Sequence, residues 1–192
     1  MPRMSAAEKK KSHERILEAA ARLIRERGVE ATSVADVMKA AGLTHGGFYK
    51  HFPSKQALVV AAFRRAAEEL LAEAEAAPEG PARAAARANY IARYLSPEHV
   101  DDAGHGCPLA ALGADISRLN GPERAEASGT LERMAALLDT GGYERGEKGL
   151  AVMALLLGTI TLARLAASPE LRAQLLKAGE KGTVALENCW RD

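Results

Sequence analysis

Residues 32–58 read TSVADVMKAAGLTHGGFYKHFPSKQAL, and this stretch decides the fold. Ser33 and Asp36 have the spacing of a capping box, which predicts a short helix that begins here and ends at Gly42. Thr44 is suited to cap a second short helix, which must end before the next proline. Two short helices joined by a tight, glycine-containing turn are typical of a helix-turn-helix, whose second helix enters the major groove of DNA.

The side chains in and beside this motif predict a DNA-binding surface. Thr44 and His45 can donate hydrogen bonds to base edges, and the two glycines that follow allow the backbone to approach the bases. The N-termini of neighbouring helices carry Thr32, Ser33 and Lys55. Free N–H groups and the helix dipole attract phosphate at these positions. The predicted DNA contacts are Thr32, Ser33, Thr44, His45, Gly46, Gly47, Tyr49, Lys50, His51 and Lys55.

The charge of the chain is distributed unevenly. Residues 1–56 hold 11 Lys and Arg against 6 Asp and Glu, whereas the remainder holds 15 against 19. A basic head on an acidic body indicates a polyanionic partner for the head alone, with Arg3 and residues 9–11 (Lys-Lys-Lys) as a basic arm. The alternative is a small helical bundle with a solvated basic face.

This motif resembles the signature of the TetR family of bacterial transcriptional repressors. The resemblance rests on residues 32–44 and on the run GFYKHFPSKQAL at 47–58. It implies a DNA-binding domain at 1–55 and a helical ligand-binding and dimerisation domain at 56–192. It also implies a homodimer that binds a palindromic DNA operator and releases it when a small-molecule inducer enters the second domain. The alternative is a helical small-molecule-binding protein or an enzyme without sequence-specific DNA binding.

Composition and punctuation favour an all-α fold for the 192 residues. Alanine dominates the apolar residues and aromatics reach only 4%, which favours helices over strands. Proline and glycine divide the chain into about nine helices, and no strand pattern is evident. The first 15 residues contain no apolar run, so we expect no signal peptide and a cytoplasmic location. We also expect no cofactor.

The segment 150–167 is nearly continuous in apolar residues. By length it would just span a bilayer, but it lacks aromatic belts, and we expect a helix buried at a subunit interface rather than a membrane span. The family resemblance implies that the last two long helices pair with their copies in a homodimer. The predicted interface comprises Leu150, Met153, Leu157, Ile160, Leu171 and Leu175.

A ligand pocket in the second domain needs apolar walls and a few polar groups. The predicted ligand-binding residues are Tyr90, Tyr94, His105, Cys107, Leu112, Ile116, Met134 and Leu137, with ordinary core packing as the alternative for each of them. Arg93 is a further polar candidate.

Cys107 suggests a more specific hypothesis about how the protein senses its signal. It precedes Pro108 at a predicted helix N-terminus, which lowers the pKa of a thiol, and a protonated His105 would assist. The segment Gly-Cys-Pro is similar to that of a TetR subgroup whose members sense electrophiles or oxidants through one cysteine. Cys107 is therefore a candidate redox sensor, and a small buried residue is the alternative.

A metal site and a catalytic cysteine are the alternatives for the segment around Cys107. A metal cluster would draw on His99, Asp101, Asp102, His105 and Cys107, which lack tetrahedral ligand spacing. A cysteine nucleophile would need an oxyanion motif and an orienting third group, and neither is identifiable. We expect neither a metal site nor an enzyme.

Overall fold

The structure is a computed structural model that describes residues 5–139 and 146–189, and within these ranges it contains helices and no strand. The α-helices are α1 (Ala6–Arg27), α2 (Val34–Ala40), α3 (Lys55–Ala76), α4 (Pro81–Tyr94), α5 (Pro97–Asp101), α6 (Pro108–Ser117), α7 (Gly121–Leu138), α8 (Glu147–Leu165) and α9 (Pro169–Cys189). Two short 3-10 helices cover His45–Lys50 and Ala103–His105. The predicted all-α class and the helix-turn-helix order are confirmed.

Local sequence accounts for the head, which comprises α1, α2 and the 3-10 helix His45–Lys50. The Ser33 side chain accepts from the Asp36 N–H at 3.1 Å, and Asp36 accepts from the Ser33 N–H at 3.0 Å, which completes the capping box. Gly42 adopts a φ of +66° at the turn, a conformation that glycine tolerates best.

The third helix of the head differs from the expected α-helix. Residues His45–Lys50 form a 3-10 helix, and Thr44 at its N-cap makes no side-chain capping bond. Adjacent glycines at 46 and 47 are poor α-helix formers, and this composition suits a short, tight turn of helix. Phe48 and Phe52 are both buried and anchor this turn against Val37 and Met38 of the small core.

The basic arm takes a different form from the one expected. The three lysines at 9–11 lie within α1 and are exposed to solvent, so they belong to a helix rather than to an extended arm. The Ser5–Glu8 capping box starts α1 ahead of them, which is why they are helical. Arg3 lies outside the described residues.

Helix α3 connects the head to the body without a break. The helix begins at Lys55, the last residue of the predicted DNA-binding domain, and contributes buried Phe63 and Leu71 to the body. The body core lies between α3, α6, α7 and α8, and α8 packs along α9. A Cβ at Gly179 would lie 2.6 Å from the Thr159 side chain, so a glycine is required where α9 crosses α8.

Helix α8 contains most of the apolar segment 150–167 that the sequence analysis identified. Its length and composition would allow it to cross a membrane, but the core helix of a soluble protein meets the same two criteria. Val152, Leu156 and Ile160 are buried against the body, whereas Leu162 and Leu165 are exposed on another face. The helix therefore has one core-facing side and one apolar side that residues 5–139 and 146–189 leave exposed.

The segment 97–106 is more ordered than expected. Residues 99–106 read as a loop in the sequence, but α5 continues to Asp101, and the 3-10 helix Ala103–His105 follows. Ser96 caps α5 through the His99 N–H at 3.3 Å, and Asp102 caps the 3-10 helix through the His105 N–H at 3.2 Å. These caps are local, and they position the segment between the head and the body.

Candidate DNA-binding surface and ligand cleft

The helix-turn-helix presents an exposed polar edge next to a buried aromatic anchor. Phe48 is 1% exposed, whereas its neighbour Tyr49 is 73% exposed, with the two rings packed edge to face at 5.2 Å. Thr44, His45 and Lys50 are also exposed. Because the anchor fixes the 3-10 helix, these side chains project from a rigid support rather than from a free loop.

The two glycines of the 3-10 helix leave space at this edge. A Cβ at Gly46 would meet no atom within 4 Å, and one at Gly47 would make only an ordinary contact with Met38 at 3.6 Å. Packing within the chain therefore does not require a glycine at position 46. The open space lies where the sequence predicts close approach of the backbone to DNA.

Two of the predicted phosphate contacts at helix N-termini differ in their surroundings. Ser33 is exposed, although its hydroxyl already takes part in the capping box. Lys55 is half-buried at the first residue of α3, beside the cap that Ser54 makes to the Ala57 N–H at 3.0 Å.

Thr32 requires a correction. It is 1% exposed, and its hydroxyl donates to the carbonyl oxygens of Gly28 at 2.8 Å and Leu23 at 3.3 Å. The hydroxyl therefore ties the end of α1 to the start of α2 and is not free to bind a phosphate.

His51 lies at the end of the 3-10 helix and is half-buried. Its ring is 5.8 Å from that of His13 on α1, and His13 in turn stacks on Phe52 with the centroids 4.7 Å apart. Burial lowers the pKa of His51, and the nearby charges of His13, Lys9 and Lys50 lower it further. Sequence reasoning missed His13, because nothing in the local pattern of α1 indicates which residue its ring faces.

A cleft of about 210 Å³ opens beside α4 and the 97–106 segment. Tyr90, Tyr94 and His99 form its aromatic wall, with Tyr94 at 5.8 Å from Tyr90 and at 4.5 Å, edge to face, from His99. Four of the residues expected at a ligand site line this cleft, namely Tyr90, Tyr94, His105 and the further polar candidate Arg93. Burial raises the pKa of both tyrosines, so each hydroxyl stays protonated as a donor.

His99 also lines this cleft, although sequence reasoning did not select it as a ligand contact. Its Nδ1 lies 2.6 Å from the Tyr94 carbonyl oxygen, and its Nε2 accepts from the Cys107 N–H at 2.9 Å. These partners fix a neutral ring that donates through Nδ1, and burial lowers the pKa of His99 accordingly. Both nitrogens are engaged, which is unfavourable for metal ligation; among the described residues no metal-binding cluster of three or more His, Cys, Asp or Glu is found.

Cys107 occupies the predicted N-cap of α6 but in a different environment from the one expected. It is 1% exposed and lies behind Tyr94 and His99. Burial raises the pKa of the thiol and outweighs the opposing hydrogen bonds from Tyr94 and from the first turn of α6. His105 is exposed and paired with Asp102 at 3.0 Å, so it does not assist the thiol. The expectation of a lowered thiol pKa is therefore wrong for this conformation.

The remaining predicted ligand residues do not converge on one pocket. Leu112 and Met134 are buried in the body core, and Leu137 is half-buried against it. Ile116 lines a separate apolar cleft of about 400 Å³ together with Phe63.

The predicted dimer residues divide between two faces of the last two helices. Leu150 is 44% exposed and Leu171 is 47% exposed, while Met153, Leu157 and Leu175 are half-buried. Ile160 is fully buried within its own chain and cannot contact a partner. The large apolar residues exposed on α8 and α9, which we call the α8–α9 face, are Leu150, Leu162, Leu165, Leu171 and Val184.

Two contacts of the 97–106 segment could not be foreseen from the sequence. Arg25 of α1 is 6% exposed and donates through Nη1 to the Gly106 carbonyl at 3.3 Å. Arg164 of α8 donates through Nη2 to the His99 carbonyl at 3.0 Å. Each arginine lies more than 60 positions from its partner, so no local pattern reports the pairing.

The sequence and the fold were compared with known proteins. Residues 16–62 match the family described as bacterial regulatory proteins, tetR family. YvdT of Bacillus subtilis (strain 168) is 45% identical over 49 residues, which are 26% of this chain and 25% of that protein. Rv0196 of Mycobacterium tuberculosis (strain ATCC 25618 / H37Rv) is 32% identical over 127 residues, which are 66% of this chain and 63% of that protein. Both carry the description uncharacterized HTH-type transcriptional regulator, and each alignment spans less than two thirds of the relative's length.

Solved structures share the whole architecture. The reduced form of NemR from E. coli has a TM-score of 0.66 at 24% identity, over 88% of this chain and 95% of that chain. A TetR transcriptional regulator from Chloroflexus aurantiacus J-10-FL has a TM-score of 0.71 at 24% identity, over 93% of this chain and 95% of that chain. At this identity the likeness establishes the fold, while the head carries the family's sequence. Together, the family match over residues 16–62 and the shared fold support a TetR-family transcriptional regulator.

Proposed function

We propose that this protein is a cytoplasmic repressor that binds a palindromic DNA operator as a homodimer. Residues 1–55 serve as the DNA-binding domain, and residues 56–192 serve as the ligand-binding and dimerisation domain. A small-molecule inducer, or modification of Cys107, releases the operator.

The observation that carries DNA binding is the exposed edge of the 3-10 helix. Tyr49 and Lys50 project from a support fixed by the buried Phe48, and the match to the tetR family spans this support. His45 and Thr44 lie at the N-terminal end of the same helix, where a recognition element contacts base edges. Lys50 and Tyr49 are suited to phosphates, which supply most of the affinity but no sequence preference.

The α8–α9 face supports the homodimer. Five large apolar side chains between 44% and 76% exposed lie on two helices that pack along each other. Large apolar side chains left exposed on paired helices are typical of an interaction site. A second copy of the same face would cover it, because a two-fold interface is formed by the same patch on both partners. Two heads would then reach half-sites about 34–36 Å apart.

The cleft beside α4 supports the binding of an inducer. Tyr90 and Tyr94 offer flat apolar surfaces, and the exposed Arg93 and His105 offer polar contacts at the rim. This combination suits a compact, partly apolar molecule with hydrogen-bonding groups. Cys107 lies behind the cleft wall. The fold is similar to that of NemR, which was solved in a reduced form, and this likeness favours a test of the Cys107 thiol as a redox-responsive group.

The 97–106 segment supplies a physical route from the cleft to the head. His99 lines the cleft and accepts from the Cys107 N–H, while the adjacent Gly106 carbonyl accepts from Arg25 of α1. Arg164 connects the same segment to α8 of the α8–α9 face. A ligand that displaces His99 therefore disturbs contacts made by both the head and the dimerisation helix.

The deciding experiment is fluorescence anisotropy of the purified protein on DNA from upstream of its own gene, with random DNA of equal length as the competitor. We expect a preference of about a thousandfold or more near physiological salt. Electrophiles and oxidants are then added to the complex, with Cys107→Ser as the matched variant. Equal binding to both DNAs, extended to a genome-wide selection without enrichment, would refute a sequence-specific repressor. Full release from the Cys107→Ser variant would remove the thiol from the mechanism.

A further inference from the structure

Two histidines meet at the edge of the head, one from α1 and one from the end of the 3-10 helix. The ring of His13 lies between that of Phe52, at 4.7 Å, and that of His51, at 5.8 Å. Both histidines are half-buried, so they remain partly accessible from the same side of the head. We call them the His13–His51 pair.

The surroundings of the pair are basic. The groups that act on His51 are Lys9 and His13 from α1 and Lys50 from its own segment. The Nδ1 atom of His51 is buried without a hydrogen-bond partner. Burial and these charges lower the pKa of His51, so the isolated head holds the ring neutral near pH 7.

We propose that the His13–His51 pair belongs to the DNA-binding surface and takes up one proton per head when the head engages the phosphate backbone. The inference rests on the proposed DNA-binding function. His51 directly follows the exposed Lys50 at the end of the 3-10 helix, so a phosphate bound by Lys50 would lie close to His51. The negative charge of the phosphate offsets the repulsion from Lys9 and Lys50 and stabilises an imidazolium. A second proton is disfavoured, because two cationic rings at 5.8 Å repel each other.

Linkage fixes the direction of the effect. If the complex holds a proton that the free head does not, affinity for DNA rises as the pH falls between the two pKa values, by at most about tenfold per pH unit for each proton. The gain depends on phosphate and not on base sequence, so any duplex reports it. One added cationic contact also steepens the dependence of log K on log salt by about 0.9 per head.

The test uses the full-length protein and a fluorescent random duplex of about 30 base pairs, a length that spans both heads. Binding is measured by anisotropy at about pH 6 and about pH 7.5 at fixed ionic strength, and we expect about threefold to tenfold tighter binding at the lower pH. Calorimetry in two buffers of different ionisation enthalpy measures the proton uptake directly.

The variants separate the pair from other histidines. His13→Phe keeps an aromatic ring on Phe52 but cannot bind a proton, and His51→Asn removes the second site. The double variant is expected to lose the pH dependence. His45→Asn is the matched control, because His45 is exposed on the same helix but is not part of the pair. Because His45 is itself a predicted DNA contact, this control is expected to bind more weakly at both pH values but to keep the ratio between the two affinities.

The outcomes are distinct. A wild-type affinity that does not change with pH, or a double variant that keeps the wild-type pH dependence, overturns the inference. Absence of binding at every pH overturns the proposed DNA-binding function instead. If the double variant does not fold, the ring resonances of His13 and His51 are titrated by NMR in the wild type with and without the duplex. Unchanged pKa values on binding would then refute the pair, and a raised value would support it.

Discussion

The α8–α9 face yields a quantitative prediction for dimer stability. Leu162 is 53% exposed and Leu165 is 76% exposed, so a partner would cover most of the surface that each side chain leaves open. Covering a leucine side chain fully stabilises a complex by about 2 kcal/mol. Replacing both residues by alanine then costs about 2 kcal/mol per protomer and about 4 kcal/mol per symmetric dimer, which raises the dimer dissociation constant about a thousandfold.

Sedimentation equilibrium of Leu162→Ala/Leu165→Ala against the wild type measures this change. Because both side chains are exposed in the single chain, the variant should keep its helical circular dichroism. Tyr49→Ala is the control, since that side chain is equally exposed but lies on the head. A dimer dissociation constant that moves less than about tenfold would refute the assignment of this face, because it corresponds to less than about 1.4 kcal/mol.

Three further predictions concern the head, the thiol and the cleft. Tyr49→Ala should weaken binding about threefold to tenfold on specific and random DNA alike, because one phosphate hydrogen bond is lost, and anisotropy with a Tyr49→Phe comparison measures it. Iodoacetamide should alkylate the exposed Cys189 at least about a hundredfold faster than Cys107 in the native protein, as followed by mass spectrometry, because Cys107 is buried and the pKa of its thiol is raised. Burial lowers the pKa of His99, so the stability that its neutral ring provides is complete above about pH 6.5 and is lost as the pH falls below that value. The melting temperature should therefore fall more steeply with acidification in the wild type than in His99→Gln, and equal slopes would contradict the role of this ring.

Features that depend on residues close together in sequence could be predicted without a structure. The capping boxes at Ser5 and Ser33 depend on a partner three residues away, so reading them requires no knowledge of the fold. The same holds for Gly42, whose turn joins two adjacent helices. Helix ends and the helix-turn-helix were predicted for this reason.

Features that depend on packing between distant parts of the chain could not be predicted from the sequence. Helix α8 is apolar on nearly all sides, so periodicity did not distinguish the buried Ile160 from the exposed Leu162 two positions later. Thr32 has the sequence context of a phosphate contact, yet its hydroxyl bonds to carbonyls of α1. The environment of Cys107 depends on Tyr94 and His99. Its position at a helix N-terminus predicts a lowered thiol pKa, whereas burial raises it.

The burial of Cys107 constrains how any response at this residue can operate. Cys107 is 1% exposed, so a reagent reaches the thiol only after its surroundings move, and moving His99 breaks the bond from the Cys107 N–H. The preceding Gly106 carbonyl accepts a hydrogen bond from Arg25 of α1 at 3.3 Å, so displacement of this backbone weakens a contact between the segment and the head. In the proposed mechanism, exposure of the thiol and disturbance of the head would therefore be one structural event. An inducer that opens the cleft would displace the same segment without any covalent change.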